Sequence, residues 1–193
     1  DIVANEFALK SSDYDRLSSI LPYYRDHPEI HDIIEMKSNT EGLKLLSHIY
    51  PYNSQLLSIA AGNLESNKKR RPDTKGYVPI QKKLNAEIKM DEMPVIYKID
   101  SAKLFILQSF INDCKRSNIE LYIVCSPYFI KFKQPVFSIE LAKEIARKNE
   151  VRFFDYSRDS LFISNPSLFA DHAHLNDSGA RIFSELLIDA IQN

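Results

Sequence analysis

An α/β fold with a parallel sheet is the class predicted by these residues, and three observations carry the prediction. From Asp100 onward, helix-like and strand-like stretches alternate. Ile119-Glu120-Leu121-Tyr122-Ile123-Val124-Cys125 is an almost continuous apolar run, the pattern of a strand covered on both faces. The connections between strand-like runs are long enough for helical crossovers, which place successive strands parallel. The expected architecture is three-layered, a sheet flanked by helices, forming one domain over 1–193. Residues 8–98 form a mostly helical insertion in it.

Each element follows in order. Asp1-Ile2-Val3-Ala4-Asn5-Glu6-Phe7 reads as the end of a buried strand. The chain opens on Asp1 rather than Met, so a truncated domain is expected. Ser12 or Asp13 is positioned to cap a helix reaching Pro22. A short helix follows His27-Pro28, where proline's missing N–H costs nothing. From Asn39 an apolar stripe of Leu43, Leu45, Leu46, Ile49, Leu56, Leu57 and Ile59 predicts helix with a break near Pro51. Residues 66–98 begin with a charged run, Lys68-Lys69-Arg70-Arg71, and read as an excursion over the surface. Ser101 then caps a helix carrying Leu104, Phe105, Leu107, Phe110, Ile111 and Cys114 on its apolar side. The 119–125 strand stops at Ser126-Pro127. Residues 136–149 form a helix and 151–155 a short strand. Asn176 or Asp177 caps a last helix to about Ile191, with Ile182, Phe183, Leu186 and Leu187 inward.

Composition narrows the functional classes. The 193 residues carry 25 Lys+Arg against 26 Asp+Glu. Such a balance argues against nucleic-acid binding by bulk charge. No apolar run is long enough for a membrane span. Cys114 and Cys125 are too few for a disulfide framework. They fall on apolar faces, where buried free thiols are expected. Four glycines leave no Gly-rich phosphate loop.

In parallel α/β sheets ligands sit beyond the carboxyl ends of the strands. That rule points to Ala4-Asn5-Glu6, Ser126-Pro127, Asp155-Tyr156-Ser157 and the loop Phe169-Ala170-Asp171-His172-Ala173-His174-Leu175-Asn176. An Asp three residues before a His can share one side of a turn with it. The Asp then accepts from one ring nitrogen and leaves the other free as a base. A metal reading stands beside it: Asp171, His172 and His174 supply ligand types, with His27, His31 or His48 needed to complete a set. Solvated helix residues are the plainer reading of His27 and His31. A turn is the plainer reading of Ser126, a solvated loop that of Lys68–Arg71, and helix packing that of Tyr23, Tyr24, Tyr50 and Tyr52.

The Phe-x-Asp-x-x-His-Leu-Asn-x-x-Gly-Ala text from Phe169 to Ala180 resembles the last motif of the SGNH (GDSL-type) hydrolases. The resemblance covers about residues 119–193 and is weak before them. It implies a flavodoxin-like sheet order and a Ser-His-Asp triad, with Asp171 the acid and His174 the base. Asn5 matches the oxyanion Asn of the third motif, although Val3-Ala4-Asn5-Glu6 lacks that motif's Gly and final Asp. The Gly-Asp-Ser nucleophile motif is absent, so the resemblance implies a serine upstream of Asp1. It also implies an esterase or acyltransferase acting on a small acyl ester or an acylated carbohydrate. The resemblance implies no cofactor or metal and an extracytoplasmic location, which the residues themselves leave open, and the charge balance leads to no nucleic-acid partner being expected. This fragment alone would be inactive. The alternative is a non-catalytic SGNH-like binding or scaffolding module of the cell envelope. A truncated sheet has a bare edge, and a homodimer through that edge is expected.

Overall fold

The computed structural model describes residues 1–53, 55–64, 77–91 and 98–193. The chain divides into two compact units, Lys10–Pro72 and Asp1–Leu9 with Asp73–Asn193.

The Lys10–Pro72 unit is built from short helices. They are α1 (Ser11–Tyr14), α2 (His31–Glu35), α3 (Glu41–Lys44) and α4 (Leu56–Asn63), joined by 3-10 turns at Asp15–Ser19, Leu21–Tyr23, Pro28–Ile30 and Tyr50–Tyr52. Three of those turns hold a proline at their first or second position. Each proline favours starting a new turn over extending the previous helix. The expected helix from residue 12 to Pro22 is instead divided into α1, which starts after Lys10, a 3-10 turn at Asp15–Ser19 and the Pro22 turn at Leu21–Tyr23. Leu21, Ile34 and Leu45 form the core, with Tyr24 and Tyr50 packed against it. The fully buried Glu41 accepts from Lys44 Nζ at 2.7 Å and Tyr50 Oη at 2.8 Å. Burial raises its pKa, but these donors and Lys37 hold the carboxyl below its ordinary value.

The second unit is mixed α/β. Its strands are β1 (Lys89–Asp91), β2 (Tyr122–Cys125), β3 (Ile130–Phe132) and β4 (Arg152–Asp155). They form two parallel pairs, β1 with β3 and β2 with β4. The β2–β4 register matches Ile123 to Phe153 and Val124 to Phe154. Beyond the ladder, Cys125 O accepts from Tyr156 N at 2.9 Å and Val124 O from Ile2 N at 2.7 Å. Successive carbonyls of a strand point to opposite edges, so Ile2 lies on the edge of β2 away from β4. Residues 4–7 then turn instead of extending the strand.

The helices here are α5 (Ser101–Arg116), α6 (Phe137–Lys148), α7 (Ser160–Ile163) and α8 (Asp177–Gln192). Asp100, not Ser101, caps α5, its carboxylate accepting from Ala102 N at 3.1 Å. Ile111, Cys114, Leu104 and Leu107 face inward while Phe105 and Phe110 are exposed. The buried stripe of α5 is thus narrower than the expected one. Ile2, Phe7, Ile111, Ile123, Ala142 and Ala146 form one core cluster. A second joins Phe129, Phe162, Leu168 and Phe169 to the inner face of α8. Both cysteines are free and buried. Part of the 66–98 excursion lies outside the described residues. The described part, 77–91, runs without helix and ends in β1.

Candidate acid–base site

Residues 169–176 form a tight loop with an anchored base. Phe169 and Leu175 bridge antiparallel, and Ala170 N donates to His174 O at 2.8 Å. Phe169 and Ala170 are buried beneath it. Asn176 locks its end: Nδ2 donates to Ser167 O at 2.7 Å and Phe169 O at 3.2 Å, while Oδ1 caps α8 by accepting from Gly179 N at 3.1 Å. Gly179 lets α8 start against the Leu168 carbonyl, where a Cβ would collide with the oxygen.

This folding leaves Asp171 and His174 side by side on the outside. His174 Nδ1–H donates to Asp171 Oδ1 at 2.9 Å and Oδ2 at 3.0 Å. The same Oδ1 accepts from Ala173 N at 2.8 Å and His174 N at 3.0 Å. Burial raises the Asp171 pKa, yet these backbone donors and the imidazole hold its carboxyl below the usual carboxylate range. An ionised Asp171 fixes the tautomer that leaves a lone pair on Nε2. No described residue bonds that nitrogen. The side chains are 70% and 51% exposed for His174 and Asp171, so Nε2 opens to solvent.

His172 turns the other way. Its Nε2 donates to Glu87 O at 3.3 Å and its ring lies 6.2 Å from that of Phe129. The His-x-His pair therefore diverges, and among the described residues no three His, Cys, Asp or Glu are placed to hold a metal ion. His27 pairs with Glu29, His31 stacks on Tyr24, and His48 meets Arg25.

The loop is tied to the carboxyl end of β2, because Phe129 N donates to His172 O at 2.9 Å. The preceding residue, Tyr128, accepts at Oη from Ala4 N at 3.1 Å. Asn5 sits in the 4–7 turn, its carbonyl accepting from Ala8 N. No described hydrogen bond joins its side chain to Asp171 or His174. Ser126 Oγ donates to Asp1 Oδ2 at 2.8 Å and its N–H to Oδ1 at 3.0 Å. It is thus engaged at Asp1, and no described hydrogen bond joins it to His174.

Two features escaped the sequence reading. Segment 77–91 lies along the 169–176 loop and the start of α8: Tyr77 Oη donates to Asp177 at 2.7 Å, Asp177 N to Ile80 O at 2.9 Å, and Leu84 N to Phe169 O at 2.7 Å. Its signal was the even spacing of Val78, Ile80, Leu84 and Ile88, the alternation of an extended chain. The other is Lys143, which bonds Asp155 Oδ2 at 2.7 Å while Ser157 Oγ donates to Oδ1 at 2.6 Å. This cluster borders a cavity of about 140 Å³ lined also by Val136 and Arg158. No sequence spacing brings Lys143 to Asp155. Beside it, burial and then Asp155 push the Cys125 thiol up to about 12.

No family model, curated protein or solved structure matches the chain.

Proposed function

We propose that Asp171 and His174 are the acid and base of an SGNH-type serine ester hydrolase or acyltransferase. The observation that supports this most is the paired 2.9 and 3.0 Å contacts from His174 Nδ1 to Asp171, with Nε2 unengaged among the described residues. His174 would take the proton of a serine hydroxyl and return it to the leaving alcohol, and Asp171 would stabilise the imidazolium. The serine comes from outside these 193 residues, which hold no Gly-Asp-Ser. Asn5 would contribute to the oxyanion hole. The substrate class is a small acyl ester, including an acylated carbohydrate. The finer fold proposed is the three-layer, flavodoxin-like arrangement. It draws support from parallel β2 and β4, and from Ile2 on the far edge of β2.

The test is acetyl-ester turnover by the intact gene product. His174→Ala or Asp171→Asn should lower kcat by about 10³–10⁴-fold, with KM little changed. Equal turnover by wild type and His174→Ala would overturn the proposal. One observation favours a second reading, a non-catalytic binding or scaffolding module of the cell envelope. The pair is openly exposed, and no described hydroxyl bonds His174 Nε2. Absence of turnover together with retained binding of acylated glycan would select that module.

A further inference from the structure

Asn5 holds donors that the fold leaves unspent. It stands in the turn between Ile2 and Phe7, which are both buried in one core cluster. The amides around it are taken. Ala4 N donates to Tyr128 Oη, Glu6 N to Val3 O, Phe7 N to Ser138 Oγ and Ala8 N to Asn5 O, each at 3.1 Å. No described residue accepts from the Asn5 N–H or from its side-chain amide, although Asn5 is only partly exposed. Backbone donors in a folded chain are ordinarily paired. Unspent donors on one residue are the chemistry that a developing oxyanion takes up.

A buried neighbour holds that turn in place. Tyr128 packs in a core cluster with Phe132 and Val136, and Ala4 lies against it. Its ring meets that of Phe132 edge-on at 5.7 Å. A hydroxyl on a ring fixed this way cannot follow a moving turn. The next residue serves the other core cluster: Phe129 packs with Phe162, Leu168 and Phe169. Its N–H donates to His172 O at 2.9 Å. One dipeptide beyond the carboxyl end of β2 thus grips two segments. Its tyrosine hydroxyl holds the amide before Asn5, and its phenylalanine amide holds a carbonyl between Asp171 and His174. These links fix the Asn5 turn relative to the acid–base loop with no direct bond between the two.

We propose that Tyr128 is a positioning residue, whose hydroxyl sets the Asn5 donors in register with His174 so that they meet the oxyanion of the ester under attack. This rests on the acid–base reading of Asp171 and His174.

The experiment is a double-mutant cycle on acetyl-ester turnover by the intact gene product, with His174→Ala measured alongside. Loss of an oxyanion donor costs about 10²–10³-fold in kcat, the loss expected of Asn5→Ala. Tyr128→Phe keeps the ring and removes the acceptor. Misplacing a catalytic group by about 1 Å costs up to about 10²-fold, so Tyr128→Phe should lower kcat by about 10–100-fold with KM little changed. Because Tyr128 acts through Asn5, Asn5→Ala/Tyr128→Phe should be no slower than Asn5→Ala alone. A tyrosine that only stabilises the fold would lower both backgrounds by the same factor, and that result would overturn the proposal. So would wild-type kcat in Tyr128→Phe where His174→Ala is inactive, which leaves the acid–base reading standing. No turnover, or equal turnover by wild type and His174→Ala, would overturn both together. If Tyr128→Phe does not fold, Ser138→Ala releases the Phe7 N–H at the far side of the same turn and enters the same cycle with the same outcomes.

Discussion

Replacing Gly179 by alanine tests how the acid–base loop is held. In an ordinary helix the change stabilises by about 1 kcal/mol. Here the added Cβ would stand 3.0 Å from both the Leu168 carbonyl carbon and Leu175 Cδ2, and closer still to the Leu168 oxygen. Carbon pairs rest at about 3.5–4.0 Å, so α8 and the loop must part by more than about half an ångström. Backbone cannot rotate away as a side-chain tip can. Overpacking of this kind costs about 1–3 kcal/mol. The Leu168 oxygen also accepts from Asn176 N at 2.9 Å, and leaving that buried donor unpaired adds about 1–3 kcal/mol. Against the propensity gain, the net loss is about 1–5 kcal/mol. For a chain of this size that lowers Tm by about 2–20 °C, measured by circular dichroism melting. Loosening Leu168 and Asn176 also frees the loop bearing Asp171 and His174, so the His174 ring resonances should broaden. An unchanged or raised Tm would refute the close-approach reasoning.

Other outcomes follow from the same contacts. Asn176→Ala removes the α8 cap and the amide's bonds to the Ser167 and buried Phe169 carbonyls, and should cost about 2–4 kcal/mol in urea denaturation. Burial raises Asp155, but Lys143 and Ser157 hold its carboxyl below the ordinary value. A depressed folded pKa means stability present above the unfolded value of about 3.9 and lost as pH falls through the folded one. Denaturation midpoints should therefore fall below about pH 4, and Asp155→Asn should flatten that fall. Glu41→Gln should cost about 2 kcal/mol through its charge-assisted bonds to Lys44 and Tyr50, seen as a lower Tm. Cys125, buried and held up to about 12, should resist iodoacetamide at pH 8 until urea unfolds the chain.

What could be read from residues alone was set by how local the causes are. Helices α5, α6 and α8 and strand β4 show their own periodicity or apolar runs, and their bounds follow closely; β2 starts at Tyr122, three residues later than the apolar run, with Ile119 exposed. β1 and β3 are three residues each, Lys-Met-Asp and Ile-Lys-Phe. They exist because they pair with one another, which neither segment announces. Between residues 11 and 63 the helical character was legible, but the division into single turns at Pro22, Pro28 and Pro51 was not fully so. The Asp171–His174 contact was readable because three residues in one turn suffice to make it. The Asn176 clamp, the Gly179 approach and the 77–91 segment beside the loop join residues distant in sequence. Only the even spacing of Leu84 and Ile88 hinted at the last.

Fluorophosphonate labelling of the intact gene product, with His174→Ala as control and adduct mapping by mass spectrometry, tests the acid–base assignment most directly. An adduct on a serine outside these 193 residues, lost in His174→Ala, is the predicted result. No adduct where a known serine hydrolase labels, or equal labelling in the His174→Ala control, would contradict it.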